Sequence, residues 1–126
     1  MGRLRPGPTD SELAILRVLW ERGPSTVRQV HEAMAGTRDT GYTTTLKLMQ
    51  IMAEKGLVKR NEESRTHIYA ASAGEEQTQH QLVKDLVDRA FGGSAATLVM
   101  RALSANTSDE ELQEIRQLID DYREKR

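Results

Sequence analysis

Two short stretches of this chain carry side chains whose types and spacing suit the recognition of a polyanion. Residues 42–50 read Tyr-Thr-Thr-Thr-Leu-Lys-Leu-Met-Gln. On a helix, Thr43, Thr44, Lys47 and Gln50 fall on one side, since residues three, four and seven apart share a face. All four are neutral or cationic hydrogen-bonding groups with no carboxylate among them, which suits base edges and phosphates in the major groove of a duplex. Further on, Lys59, Arg60, Arg65 and His67 surround Glu62-Glu63-Ser64. Cations on such a tip can reach backbone phosphates or a neighbouring minor groove. The two glutamates oppose that reading, because a charged hairpin also serves simply to resist edge pairing. Thr26 and Arg28 open another helix, where a hydroxyl and a guanidinium can meet a phosphate; capping alone also accounts for the hydroxyl.

Other chemistries are excluded or unsupported. The chain has 126 residues and no cysteine, which removes thiol catalysis, disulfide scaffolds and thiolate metal sites. His31, His67 and His80 stand alone, with no pair four residues apart, so no metal site is expected. Without a nucleophile elbow, phosphate loop or zinc motif, neither an enzyme nor a cofactor is expected. The formal net charge of -1 conceals an asymmetry. Residues 1–71 hold eleven basic and eight acidic side chains, whereas 72–126 hold seven and eleven. A basic front and an acidic back suggest that only the front meets a polyanion. No apolar run approaches a membrane span, and residues 1–10 lack an apolar signal region, so a cytoplasmic protein without membrane insertion is expected.

The elements that must position these side chains follow from caps and periodicity. Residues 1–8, with Arg3 and Arg5, read as a disordered arm. Thr9 and Glu12 form a capping box that opens a first helix, with Leu13, Ile15, Leu16, Leu19 and Trp20 as its buried face. Gly23-Pro24 ends it. A second helix starts at Ser25 or Thr26, with Thr26 and Gln29 as another box. Val27, Val30, Ala33 and Met34 form its apolar stripe, and Gly36 stops it. The third spans 42–55, with Gly56 as its left-handed cap and Thr45, Leu48, Met49, Met52 and Ala53 inward. Leu57–Asn61 and Thr66–Ala70 read as strands joined by 62–65. Three helices then follow: 75–91, a short one from Ser94 to Leu103, and one opened by Ser108 and Glu111 as a third box. Leu82, Leu86, Leu98, Leu112, Ile115, Leu118, Ile119 and Tyr122 lie at helical spacing along them, and the last helix shows a narrow seam of the kind used between helices.

The expected fold class is therefore mainly α with a small β-hairpin. Three helices and a hairpin form a winged helix-turn-helix over 9–71, followed by a C-terminal helical region over 72–126. Asp10 to Trp20 resembles the opening helix of the penicillinase-repressor (BlaI/MecI) family. Tyr42–Gln50 with Glu54–Val58 is similar to that family's recognition helix and the strand after it. Phe91–Ser94 and Ser108–Ile115 resemble its dimerisation region. The resemblance implies a homodimeric repressor on a palindromic operator in double-stranded DNA, often controlled by a membrane sensor protease. It also implies inactivation by cleavage in the short C-terminal helix, where the penicillinase repressors carry Asn-Phe and this chain has Arg101-Ala102. Copper-responsive relatives carry C-terminal cysteines, which are absent here. The rival reading is a winged-helix module that binds protein rather than DNA; it calls for an acidic face on the third helix, which the sequence lacks.

Overall fold

Thr9 opens α1 (Asp10–Arg22) with a reciprocal capping box: the Glu12 amide donates to Thr9 Oγ1 at 3.2 Å, and the Thr9 amide to Glu12 Oε1 at 2.9 Å. In the computed structural model, which describes residues 7–37 and 40–126, five further helices and one hairpin follow. Arg3, Arg5 and Arg38 lie outside the described residues. The order is α2 (Val27–Met34), α3 (Tyr42–Lys55), β1 (Val58–Asn61), β2 (Ile68–Ala71), α4 (Glu75–Ala90), α5 (Ala95–Ala105) and α6 (Asp109–Lys125). The chain divides into two compact units, the first ending at Leu82 and the second being Val83–Arg126.

In the first unit, α1, α2 and α3 close over Ile15, Leu16, Leu19, Val27, Val30, Met34, Met49 and Met52, with Val58 and Tyr69 from the strands completing the core. Leu13, Leu48 and Ala53, expected inward, are only partly buried against it, and Ala33 is partly buried as well. Trp20, expected in the core, is likewise partly buried. Its indole N–H donates to the Ala73 carbonyl at 3.0 Å, so the ring needs a rim position where that end can find an acceptor. α2 repeats the capping box of α1, with Thr26 and Gln29 as partners. It ends at Met34, ahead of Gly36. Gly56 ends α3 at φ 84° and ψ 9°, a left-handed conformation that favours glycine.

The antiparallel register pairs Val58 with Ala71 and Asn61 with Ile68. The second strand thus starts two residues later than its β-branched pattern suggested, and Glu62–His67 forms a longer tip. The hairpin is also held from outside: the Ser25 amide donates to the Tyr69 carbonyl at 2.9 Å, and the Tyr69 amide to the Ser25 carbonyl at 2.8 Å. In the second unit Ser94 and Ser108 cap their helices as expected. At Ser108 only the hydroxyl half of the box is present, because no Glu111 carboxylate returns to the cap amide.

Glu12 is 2 % exposed, and its Oε2 accepts from Lys55 Nζ at 2.8 Å. Burial alone would raise this carboxyl, but the Lys55 ammonium and the Thr9 amide outweigh it and hold it below its ordinary value. The pair joins the start of α1 to the last turn of α3. Lys55→Met should destabilise the fold by roughly 1–3 kcal/mol, below the cost of breaking a fully buried pair because water reaches the lysine side. The lowered carboxyl stabilises the fold above its unfolded value, near 4.5, and this stability is lost as pH falls through the folded value beneath it. Urea titrations at pH 7 and pH 3 check both points. Glu12→Gln should be the less stable at pH 7, and its deficit should shrink at pH 3.

Candidate nucleic-acid interface

The first turn of α2, the outer side of α3 and the wing border one open groove of about 460 Å³. It is lined by Thr26 and Arg28 from α2, Leu46 and Gln50 from α3, and Arg65, Thr66 and His67 from the hairpin tip. Thr26 Oγ1 accepts the Gln29 amide at 3.1 Å, so its acceptor serves the cap while its hydroxyl hydrogen remains able to donate. Thr43, Thr44 and Lys47 do not line this groove; they are exposed on the outer face of α3, beside it. The N-cap of α3 is Gly41, without a side-chain hydrogen bond, so Thr43 and Thr44 are not spent as caps. Thr45, in contrast, is buried and donates from Oγ1 to the Gly41 carbonyl at 3.3 Å. The structure therefore brings Thr26, Arg28, Gln50, Arg65 and His67 to one groove and leaves Thr43, Thr44 and Lys47 on the adjoining ridge.

The cations differ in how they are engaged. Among the described residues, Arg28, Lys47, Lys59 and Arg65 belong to no ion pair. Arg60 donates from Nε to Glu62 Oε2 at 2.8 Å. The Tyr69 hydroxyl and this carboxylate push its guanidinium above its ordinary value. Arg60 thus acts first as a strut of the wing, and a phosphate would have to displace Glu62 from it. The tip is held by its own polar groups: the Glu63 amide donates to Asn61 Oδ1 at 2.9 Å, and Ser64 Oγ to the Thr66 carbonyl at 2.6 Å.

Sequence reasoning missed Tyr42. It continues the Thr45–Met49–Met52 stripe one turn towards the helix start, a phase that reads as core. There the core has ended, and the ring is 39 % exposed at the groove edge. The Arg28 guanidinium lies 5.1 Å above its centroid, and the His31 ring meets it edge-on at 5.9 Å between centroids. No group of three or more His, Cys, Asp or Glu placed to hold a metal occurs among the described residues.

A family model described as penicillinase repressor matches residues 8–121, covering the helices, the hairpin and most of the C-terminal region. The chain belongs to this family. It is 40 % identical over 93 residues to the transcriptional regulator BlaI of two Mycobacterium tuberculosis strains, covering 71 % of this chain and 67 % of theirs. The solution structure of the DNA-binding domain of the repressor BlaI superposes with a TM-score of 0.50. It shares 21 % identity and covers 60 % of this chain and 90 % of that domain, a likeness of fold. The penicillinase repressor membership makes the chain a transcriptional regulator of winged-helix fold and not an enzyme. No helix among the described residues is long and apolar enough to cross a membrane.

Glu62 places a carboxylate on the wing and occupies Arg60. Glu62→Gln should therefore tighten binding to duplex DNA at low salt, by no more than about fivefold because the pair is exposed. Fluorescence anisotropy with a labelled duplex measures this. Weaker binding would mean that the pair orders the wing for contact.

Proposed function

We propose that this chain is a sequence-specific repressor that binds double-stranded operator DNA as a homodimer. The observation that carries the reading is the surface of α3. From Tyr42 to Ala53 it holds no acidic residue, and its exposed Thr43, Thr44 and Lys47 adjoin a groove lined by Gln50 and by Arg28 and Arg65, which belong to no ion pair among the described residues. In this reading Lys47 and Thr44 approach base edges, while Arg28, Lys59 and Arg65 hold phosphates and fix the register. The protein then works in the cytoplasm, where a bacterial regulator meets its DNA.

The homodimer part rests on α4, α5 and α6, none of which contains a buried residue. Leu86, Leu112, Leu118, Ile119 and Tyr122 are between 41 % and 66 % exposed, and Leu98 and Ile115 are half-buried. Leu82 is also half-buried, with its Cδ2 only 3.2 Å from where a Cβ on Gly7 would stand, so part of its surface is used within the first unit. Apolar side chains spaced along helices and left this open call for a second copy to cover them. Residues 9–71 would then bind DNA and 72–126 dimerise, so that a palindromic operator matches the two-fold axis of the protein.

Release is assigned to cleavage in α5, with a membrane sensor protease as the partner that starts it. Arg101 and Ala102 are exposed but lie within the helix, so a protease would need that turn to open before it could take the bond. Mass spectrometry of the protein from derepressed cells checks this: a fragment ending within 95–105 is expected, and full-length chain alone would exclude it.

Three substitutions test the rest of the reading. Ile115→Asp should convert the dimer to monomer in sedimentation and weaken operator binding, because a carboxylate would enter an apolar interface. An unchanged dimer would remove α6 from the interface. Lys47→Ala should alter preference among operator variants. Arg65→Ala should weaken all sequences alike and reduce the slope of log affinity against log salt by about one unit. Failure of the unmodified protein to bind its own upstream DNA would favour a protein-binding module.

A further inference from the structure

Arg28 is exposed on the first turn of α2, where a long side chain has many rotamers to choose from. Ordering such a side chain on a ligand has an entropic cost that a pre-set orientation avoids. Here the guanidinium already lies over the Tyr42 face at 5.1 Å. The Tyr42 ring is itself fixed from the side by His31, three residues beyond Arg28 on the same helix. No carboxylate among the described residues pairs with Arg28. Its N–H groups, arranged around the plane of a rigid fork, remain for another acceptor. Arg28 and Tyr42 line the same groove as Arg65 and His67.

We propose that Tyr42 is a positioning residue for a phosphate contact: its ring face holds Arg28 in the groove that Arg65 and His67 also line, ready to receive a phosphodiester of bound DNA. This rests on the reading of the chain as a DNA-binding protein. Tyr42 itself touches no phosphate in this arrangement; it acts through Arg28. The ring face, and not the hydroxyl, is the operative part, because the attraction comes from the quadrupole of the aromatic ring. Phenylalanine should therefore substitute for it and leucine should not.

The test uses the full chain and a mixed-sequence duplex of about 20 base pairs, since a phosphate contact is indifferent to sequence. Binding is followed by anisotropy over a range of salt for the unmodified protein, Arg28→Ala, Tyr42→Phe, Tyr42→Leu and the double variant Arg28→Ala/Tyr42→Leu. Arg28→Ala should lower the salt slope by about one unit. Tyr42→Leu should weaken binding about two- to fivefold at low salt, and Tyr42→Phe should bind like the unmodified protein. The double variant should be no weaker than Arg28→Ala alone, because Tyr42 acts only through Arg28. In the free protein, the NMR signal of the Arg28 Nε proton should carry a ring-current shift that persists in Tyr42→Phe and disappears in Tyr42→Leu. Independent, multiplying effects of the two substitutions would overturn the proposal, as would Tyr42→Phe as weak as Tyr42→Leu. If the unmodified protein fails to bind the duplex at low salt, the DNA-binding reading falls first and takes this proposal with it.

Discussion

The backbones of Ser25 and Tyr69 exchange both of their hydrogen bonds, at 2.9 and 2.8 Å, and so lay a one-residue third edge against the hairpin. Around this bridge the rest of the first unit takes its place. Tyr69 is 1 % exposed and sits in the core, while its hydroxyl reaches Arg60. Ser25, also buried, donates from Oγ to the Gly23 carbonyl at 2.8 Å, which fixes the turn between α1 and α2. One residue after Ser25 comes the Thr26 cap, and three after it Arg28. On the other side, Arg65 and His67 precede β2. The residues that α2 and the hairpin tip bring to the groove are therefore tied together through the backbone. Every buried side-chain nitrogen and oxygen among the described residues finds a partner, so this arrangement carries no unpaired polar group in its interior.

Local signals were legible in the sequence wherever one element contains its own explanation. Thr9 with Glu12 and Thr26 with Gln29 lie three residues apart, and the capping hydrogen bonds form between those same residues. Gly56 was legible because a left-handed helix end favours glycine. What remained hidden depends on two elements meeting. Glu12 reads as a capping carboxylate, yet it is also the buried partner of a lysine 43 residues away. The bridge from Ser25 to Tyr69 ties β2 to the turn between α1 and α2, a contact that no strand pattern of residues 66–71 contains. Tyr42 has the phase of a core residue and is exposed only because the core stops short of it. Arg60, read as one free cation among several, is engaged by Glu62 two residues on, a pairing that composition cannot distinguish from a solvated hairpin.

The two units bury their apolar side chains to very different degrees. In the first, ten hydrophobic residues form a closed core, with methionine at three of the positions and a single buried aromatic. Flexible methionines can fill the irregular space left between three short helices, where stiffer side chains would leave gaps. In the second, amphipathic helices form without any residue becoming fully buried, so their caps and charge pairs alone cannot account for their stability. Exchange of a lysine–aspartate pair such as Lys84–Asp88, exposed and four residues apart, contributes only tenths of a kcal/mol, about 0.3–0.5. In the proposed homodimer, the stability of this unit would rise with the concentration of the second copy that covers its apolar faces.

Gly41 at the start of α3 has a kinetic meaning as well as a geometric one. The serine and threonine caps of α1, α2, α5 and α6 each close the first turn of their helix with a side-chain oxygen, and α3 has no such closure. Its first amides receive no capping side-chain oxygen, so they are expected to open to exchange more readily than the capped first turns of α1 and α2. The helix with the carboxylate-free outer face thus also lacks the side-chain closure that α1 and α2 have at their leading turns. A surface that supplies acceptors to those amides completes the turn, and contact there is coupled to local ordering. Association at this end then carries an entropy of ordering that the rigid middle of α3, anchored by Met49 and Met52, does not share.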